Sequence, residues 1–291
     1  MCLVVVGRHV DRLKFLEVLF GDQPPLTPPQ LFYQRILARD PVEAAEQAET
    51  FLKEKPLAAY YDEILLEGLR LAEADVVHGL LDEERLQRIR DAVAEIVDDL
   101  STHKDKNEKE GVPSQQNKAE SPEPPSPLLQ LDKAEALQRR VVLREQWRRG
   151  TPVLCVPGMG LLDEAAAIVV AQLVEREGIS ARAERADTLS MSQLFGWDTK
   201  DAALICLCYV ESVTSAQIRY AVRRVRRKAS EASILVALFG ANNTRFESEE
   251  PGGDTEFVQP SFRATVDKIV AAASAPCADH SLTEPVAAAA V

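Results

Sequence analysis

Apolar residues recur at helical spacing through the first hundred positions. After a polar gap they give way to short apolar runs alternating with helical stripes. Thr27, followed by Pro28, Pro29 and Gln30, sets a capping threonine three residues before a glutamine, with prolines in the first turn where a missing amide hydrogen costs nothing. This predicts a helix over 31–37. Asp40, Pro41, Val42 and Glu43 repeat the arrangement, and Val42, Ala45, Ala48, Phe51 and Leu52 keep helical spacing behind it. Pro56 opens a third helix, with Leu57, Tyr61, Ile64, Leu65, Leu69 and Ala72 on one face and Gly79 as its stop. Asp82 opens a fourth, striped by Leu86, Ile89, Val93, Ile96, Val97 and Leu100. Residues 27–100 therefore read as an antiparallel helical bundle.

Residues 101–131 are rich in Lys, Glu, Gln, Asn, Ser and Pro and carry too little apolar surface to offset the entropy of ordering, which predicts a disordered linker. A connecting helix is predicted over 132–150, basic on one side through Arg139, Arg140, Arg144, Arg148 and Arg149. From 151 to 275 strands are predicted at 152–156, 181–186, 202–210 and 234–239, with a weak fifth near Phe257. Helices are predicted at 163–177, 190–195, 215–229 and 262–273. Such alternation signals a parallel sheet with crossover helices, so the fold class is α/β: a helical bundle followed by a small, doubly wound, Rossmann-like domain. Residues 276–291 read as a flexible tail.

Composition narrows the classes. The net charge of −12 opposes wholesale binding to nucleic acid and to anionic membrane surfaces, while leaving local basic patches able to act. Five scattered cysteines, three of them in apolar runs, imply reduced core thiols in a cytoplasmic compartment rather than a disulfide framework. Within the opening segment 1–26, the apolar run from Met1 to Val6 meets Gly7, Arg8 and His9. It reads either as the last turn of a membrane helix meeting the cytosol or as an ordinary short strand or helix start.

Certain strings go further than composition. Gly7-Arg8-His9, Phe15-Leu16-Glu17-Val18-Leu19, Gly21-Asp22, Phe32-Tyr33-Gln34-Arg35, Tyr60-Tyr61-Asp62-Glu63, Asp163-Glu164-Ala165-Ala166 and the basic helix from Arg219 to Lys228 resemble the cytosolic extension that follows the last membrane helix in bacterial permeases of the autoinducer-2 exporter-like family. The resemblance spans nearly the whole chain. It implies a cytoplasmic module at the inner face of the cell membrane with a permease segment or another protein as partner, and it carries over no transport residues, because those lie in membrane helices. The layout also resembles cobalamin-binding modules, a helical bundle before a doubly wound domain. That family's cobalt-ligating histidine has no counterpart in the loop Gly158-Met159-Gly160-Leu161-Leu162-Asp163, and Phe239-Gly240-Ala241-Asn242 stands where a glycine pair is expected. What this resemblance implies is a degenerate module that holds another small molecule, or none, with no cobalamin cofactor.

The candidate ligand-binding residues are accordingly Gly158, Met159, Gly160 and Asp163 after the first strand and Ser190 after the second. The glycine loop mimics part of a dinucleotide fingerprint, with Glu184 or Asp187 as the distant acid. It lacks the third glycine, and the acids Asp163 and Glu164 stand where a pyrophosphate would dock. Arg219, Arg223, Arg226 and Arg227 share a helix surface that reads as an anion or partner surface, or as a solvated face paired with the chain's acids. Cys155, Cys206 and Cys208 and the isolated His9, His78, His103 and His280 lack the clustered partners of a metal site or a catalytic nucleophile. Tyr60, Tyr61 and Asp62 read as packing residues or as the wall of a pocket between bundle and sheet. These readings converge on a non-catalytic regulatory or interaction module associated with a membrane permease. The alternative is a small-molecule-binding sensor, of cobalamin-module ancestry, that uses the loop after the first strand.

Overall fold

Helix caps and apolar stripes fall into register in the computed structural model, which describes residues 26–38, 41–103, 105, 143–240, 255–258 and 261–274. The expected segment 1–26 lies outside these residues except for Leu26, as do almost all of the expected linker and the tail beyond 274. The bundle consists of α1 (Pro28–Ala38), α2 (Pro41–Leu52), a rod formed by α3 (Leu57–Tyr60), a π-helical turn (Tyr61–Leu65) and α4 (Leu66–Val77), and then α5 (Glu83–Asp99). Asp82 caps α5 by accepting a hydrogen bond from the Arg85 amide at 2.8 Å. The buried stripe behind it is Ile89, Val93, Ile96 and Val97.

The second unit alternates β1 (Val153–Pro157), α6 (Leu161–Arg176), β2 (Ala181–Ala183), α7 (Met191–Leu194), β3 (Leu204–Tyr209), α8 (Ser215–Lys228), β4 (Ser233–Leu238), β5 (Thr255–Val258) and α9 (Phe262–Ala273). All five strands are parallel, in the order β2-β1-β3-β4-β5. This is a doubly wound arrangement whose order reverses between β1 and β3. Alternation along each strand separates two cores. Val153, Cys155, Leu204, Cys206, Cys208, Leu235 and Ala237 face α6 and α9, whereas Leu154, Val156, Ile205, Leu207, Tyr209, Ile234 and Val236 face α8.

α6 departs from the amphipathic pattern of a surface helix. Leu162 through Ala167 and Val169 through Val174 are all buried, because the sheet covers one side of the helix and the bundle the other. A helix that is apolar nearly all round is an interior helix. Its neighbours in the bundle-side core include Ile89, Val93, Ile96, Tyr61 and Leu65. Within this seam Gln172 accepts a hydrogen bond from the Tyr61 hydroxyl at 2.5 Å and donates one to the Val97 carbonyl. Val97 lies in the last turn of α5, where carbonyls lack an intrahelical partner. Asp62, on the π-helical turn, reaches α9 and accepts from the Phe262 amide at 2.7 Å and the Ser261 hydroxyl at 2.9 Å. The bundle thus caps a helix of the α/β unit. At the opposite end Asp105 accepts from the Leu57 amide at 2.8 Å and pairs with Arg176 at 3.3 Å.

The expected basic helix over 132–150 lies mostly outside the described residues, and its described end is not an α-helix. Leu143 bridges to Ser274, the Arg144 amide donates to the Ala273 carbonyl, and only a 3-10 turn, Glu145–Trp147, follows. Burial of Trp147 against the core and this pairing with the end of α9 hold the backbone extended before the turn.

Replacing Gln172 by Leu leaves the Tyr61 hydroxyl and the Val97 carbonyl buried without partners, so the unfolding free energy should fall by about 2–3 kcal/mol. Urea titration measures this as a lower midpoint at unchanged slope. A loss below about 0.5 kcal/mol, within the range of an ordinary surface substitution, contradicts the assignment of Gln172 as the seam's polar tie.

Candidate functional site

Open parallel sheets bind ligands beyond the carboxyl ends of their strands, where the strand order reverses. Here that position lies between the loop after β1, with Gly158, Met159 and Gly160, and the loop after β3, with Val210, Glu211 and Ser212. Asp163 stands in the first turn of α6 between the two loops and is fully buried. Its Oδ2 accepts from the Met159 amide at 2.8 Å and the Gly160 amide at 3.5 Å. Its Oδ1 accepts from the Val210 amide at 2.6 Å and the Glu211 amide at 3.0 Å. Amides at such a helix start form an anion cradle in proteins that bind phosphate. In this chain the cradle is filled by its own Asp163 carboxyl.

Burial and the neighbouring Glu211 carboxylate push the Asp163 carboxyl up to about 7, against the opposing pull of the amide hydrogen bonds. Glu211 is itself raised, by burial and then by Glu73 from the bundle. Glu73 is buried on α4 and accepts a hydrogen bond from the Ser212 hydroxyl. Beside it, Arg70 donates to the Phe239 carbonyl at 2.8 Å and pairs with Glu67 at 2.5 Å, so bundle side chains tie down the loop after β3 and the end of β4. Glu164 accepts from the Ala186 amide at 2.8 Å and meets Arg90 of α5 at 3.4 Å, which ties the loop after β2 in the same way.

The glycines allow this closure. A Cβ on Gly158 would stand 1.9 Å from the Tyr209 ring, and one on Gly160 would stand 2.0 Å from the Glu211 carboxylate. Tyr209 is fully buried, and its hydroxyl has no hydrogen-bond partner among the described residues. Met159 remains partly exposed, its sulfur accepting from Gln217 at 3.5 Å. Of the five candidate ligand residues, the fold brings Gly158, Met159, Gly160 and Asp163 together. Ser190 is apart from them, capping α7 through the Gln193 amide at 3.3 Å and sharing a hydrogen bond with Ser192 at 3.0 Å. Tyr209, Glu211, Ser212 and Glu73 complete the cluster and were not singled out from the sequence. The available signal for Glu73 was an acid set among Leu69, Ala72 and Val76 on an apolar face.

The arginines of α8 divide. Arg219, Arg223 and Arg227 are exposed. Arg226 instead turns back to donate to the Ala232 carbonyl at 2.7 Å and the Ser230 carbonyl at 3.4 Å, closing the helix end. Arg224 lies over the Tyr220 ring at 4.9 Å.

Cys155, Cys206 and Cys208 are free and buried side by side on the sheet face toward α6. Burial holds the Cys155 thiol well above its ordinary value, so it carries little of the thiolate that a nucleophile needs. Tyr60 and Tyr61 are fully buried, with Tyr60 edge-on to Phe32 and Phe51 and tilted against Tyr61, so they pack the core. Among the described residues no group of three or more His, Cys, Asp or Glu is placed to hold a metal ion. No helix among them is long and apolar enough to cross a membrane. No protein-family model matches the chain, and a search of curated proteins finds no match.

Two outcomes follow from this geometry. Asp163 holds a proton near neutrality that it does not hold when unfolded, so its contribution favours folding below its unfolded value and is lost as pH rises through about 7. Urea titrations from pH 5 to pH 8 should show wild-type stability falling relative to Asp163→Asn by roughly 1–3 kcal/mol, with the variant less stable throughout because its amide cannot accept all four hydrogen bonds. A difference independent of pH contradicts the shift. Gly158→Ala should cost about 1–3 kcal/mol because a buried ring must move, and Gly160→Ala clearly less because a carboxylate can swing away. Equal losses in thermal melts contradict the close approach of Tyr209.

Proposed function

We propose that the chain is a non-catalytic, cytosolic regulatory or interaction module that works beside, or as part of, a membrane permease. The observation that carries this reading is the closed switch point, where the amides that a ligand anion would use are taken by Asp163 and the flanking polar groups pair with the bundle through Glu73, Arg70 and Glu164. A carboxyl already holding four amides is poorly placed to act as general acid or base on a substrate, because those bonds must first break. The resemblance of strings spread over nearly the whole chain to the cytosolic extension of autoinducer-2 exporter-like permeases points to the partner: a permease segment at the inner face of the membrane. No cofactor belongs to this reading.

A second reading, a small-molecule-binding sensor, is favoured by one feature. A cavity of about 520 Å³ opens beyond the end of β2, lined by Arg182, Arg185, Asp187, Thr188 and Trp197 among others. The Trp197 indole nitrogen is buried without a hydrogen-bond partner among the described residues. Its site differs from the loop after β1, since none of the five candidate residues lines it.

Co-expression of the full chain with the membrane-spanning part of a permease of that family, followed by detergent extraction and purification on a tag carried by the permease, should retain the chain at about one copy per permease. Thermal melts with cobalamins and nucleotides should be unmoved. Loss of the chain in the wash, together with a melting shift for one of these ligands that Trp197→Phe abolishes, overturns the module reading in favour of the sensor.

A further inference from the structure

α8 carries Arg219, Arg223, Arg224, Arg226, Arg227 and Lys228 and no acidic residue within 14 positions, in a chain whose net charge is −12. Its buried side is Ile218, Ala221, Val222 and Val225, against the sheet face away from the bundle. At 100° per residue, Tyr220, Arg223 and Arg227 fall at the centre of the outward side. Arg223 and Arg227 are exposed and pair with no acid among the described residues. Elsewhere in this chain Arg35, Arg70 and Arg176, which are largely buried, each pair with a carboxylate.

The cations stand beside apolar tips. Phe195 is 79% exposed, Met191 66% and Tyr220 57%. Lys228 donates to the Phe195 carbonyl at 2.9 Å, which fixes the α7 turn against the end of α8. Leu194 packs into the core below, so the turn is anchored while its neighbours Met191 and Phe195 stay in solvent.

We propose that the α7–α8 face docks on an anionic phospholipid bilayer, with Arg223 and Arg227 on lipid phosphates and Phe195 and Met191 in the headgroup boundary. Basic side chains on α8, with exposed Phe and Met on the α7 turn tied to its end, suit a surface that offers both negative charge and hydrocarbon. A nucleic-acid backbone offers no hydrocarbon for Met191 and Phe195. The chain's many acids do not oppose this docking from a distance, because at about 0.15 M salt a charge farther than roughly 8 Å is screened. Because α8 packs on the sheet face away from the bundle, this docking directs the bundle away from the lipid. The inference deepens the module reading and rests on it for the presence of a bilayer.

The test is co-sedimentation of the full chain with phosphatidylglycerol-containing vesicles and with pure phosphatidylcholine vesicles. Binding is expected to the first alone and to fall steeply with salt. Arg223→Ala with Arg227→Ala should weaken it about 25-fold, roughly fivefold per cation. The paired Lys substitutions should retain binding, and Phe195→Ser should weaken it at unchanged melting temperature. Equal binding to both vesicles, or full binding by the Ala pair, overturns the proposal. So does binding to duplex DNA that matches the vesicles and ignores Phe195. A chain that ignores vesicles yet co-purifies with the permease sinks the lipid surface alone; one that binds vesicles and never the permease sinks the module reading alone.

Discussion

The arrangement depends on α6 being buried on two sides at once. Its run of Ala165, Ala166, Ala167, Ile168, Val169, Val170 and Ala171 presents small and branched side chains all round, so the sheet and α5 can both approach closely. The sheet offers small residues beneath it, with Cys155, Cys206 and Cys208 on the face toward the helix. The bundle therefore acts as a second layer of the same core. Without it, the outer face of α6 would stand in water, with a large apolar area uncovered.

Polar ties then fix how the layers sit. Gln172 answers a hydroxyl and an orphan carbonyl within the seam, Asp62 caps α9 from the π-helical turn, and Asp105 with Arg176 closes the far end. At the sheet's carboxyl end the same economy of polar groups closes the place where doubly wound folds usually hold ligands. Asp163 serves both loops, and Glu73 reaches in from the bundle. Among the described residues, exposed basic and apolar side chains gather on the α7–α8 side and a cavity opens past β2.

Local signals made the fold legible. The cap at Asp82 and the period of the apolar stripes mark where helices begin, and the helix expected over 262–273 coincides with α9. The weak fifth strand near Phe257 exists as β5. The second strand was expected to run to 186 but ends at Ala183, because the loop beyond it turns to meet Glu164. Pairs remote in sequence were not legible: Asp62 with Phe262, Arg70 with Phe239 and Glu73 with Ser212 join residues from 139 to 200 positions apart. Spacing rules do not reach that far. Arg226 illustrates the limit at short range, since helical spacing groups it with Arg223 and Arg227 while the carbonyls past the helix end draw it away.

The central claim, that bundle and sheet share one core through α6, is most directly tested by following denaturant unfolding with two probes. Both tryptophans, Trp147 and Trp197, lie in the α/β part, so their fluorescence reports that unit, while far-ultraviolet circular dichroism also weighs the helices of the bundle. Coincident transitions with one midpoint are the predicted result. Two separated transitions, with helical signal lost before or after the fluorescence change, would show that the bundle and the sheet fold independently and contradict the shared core.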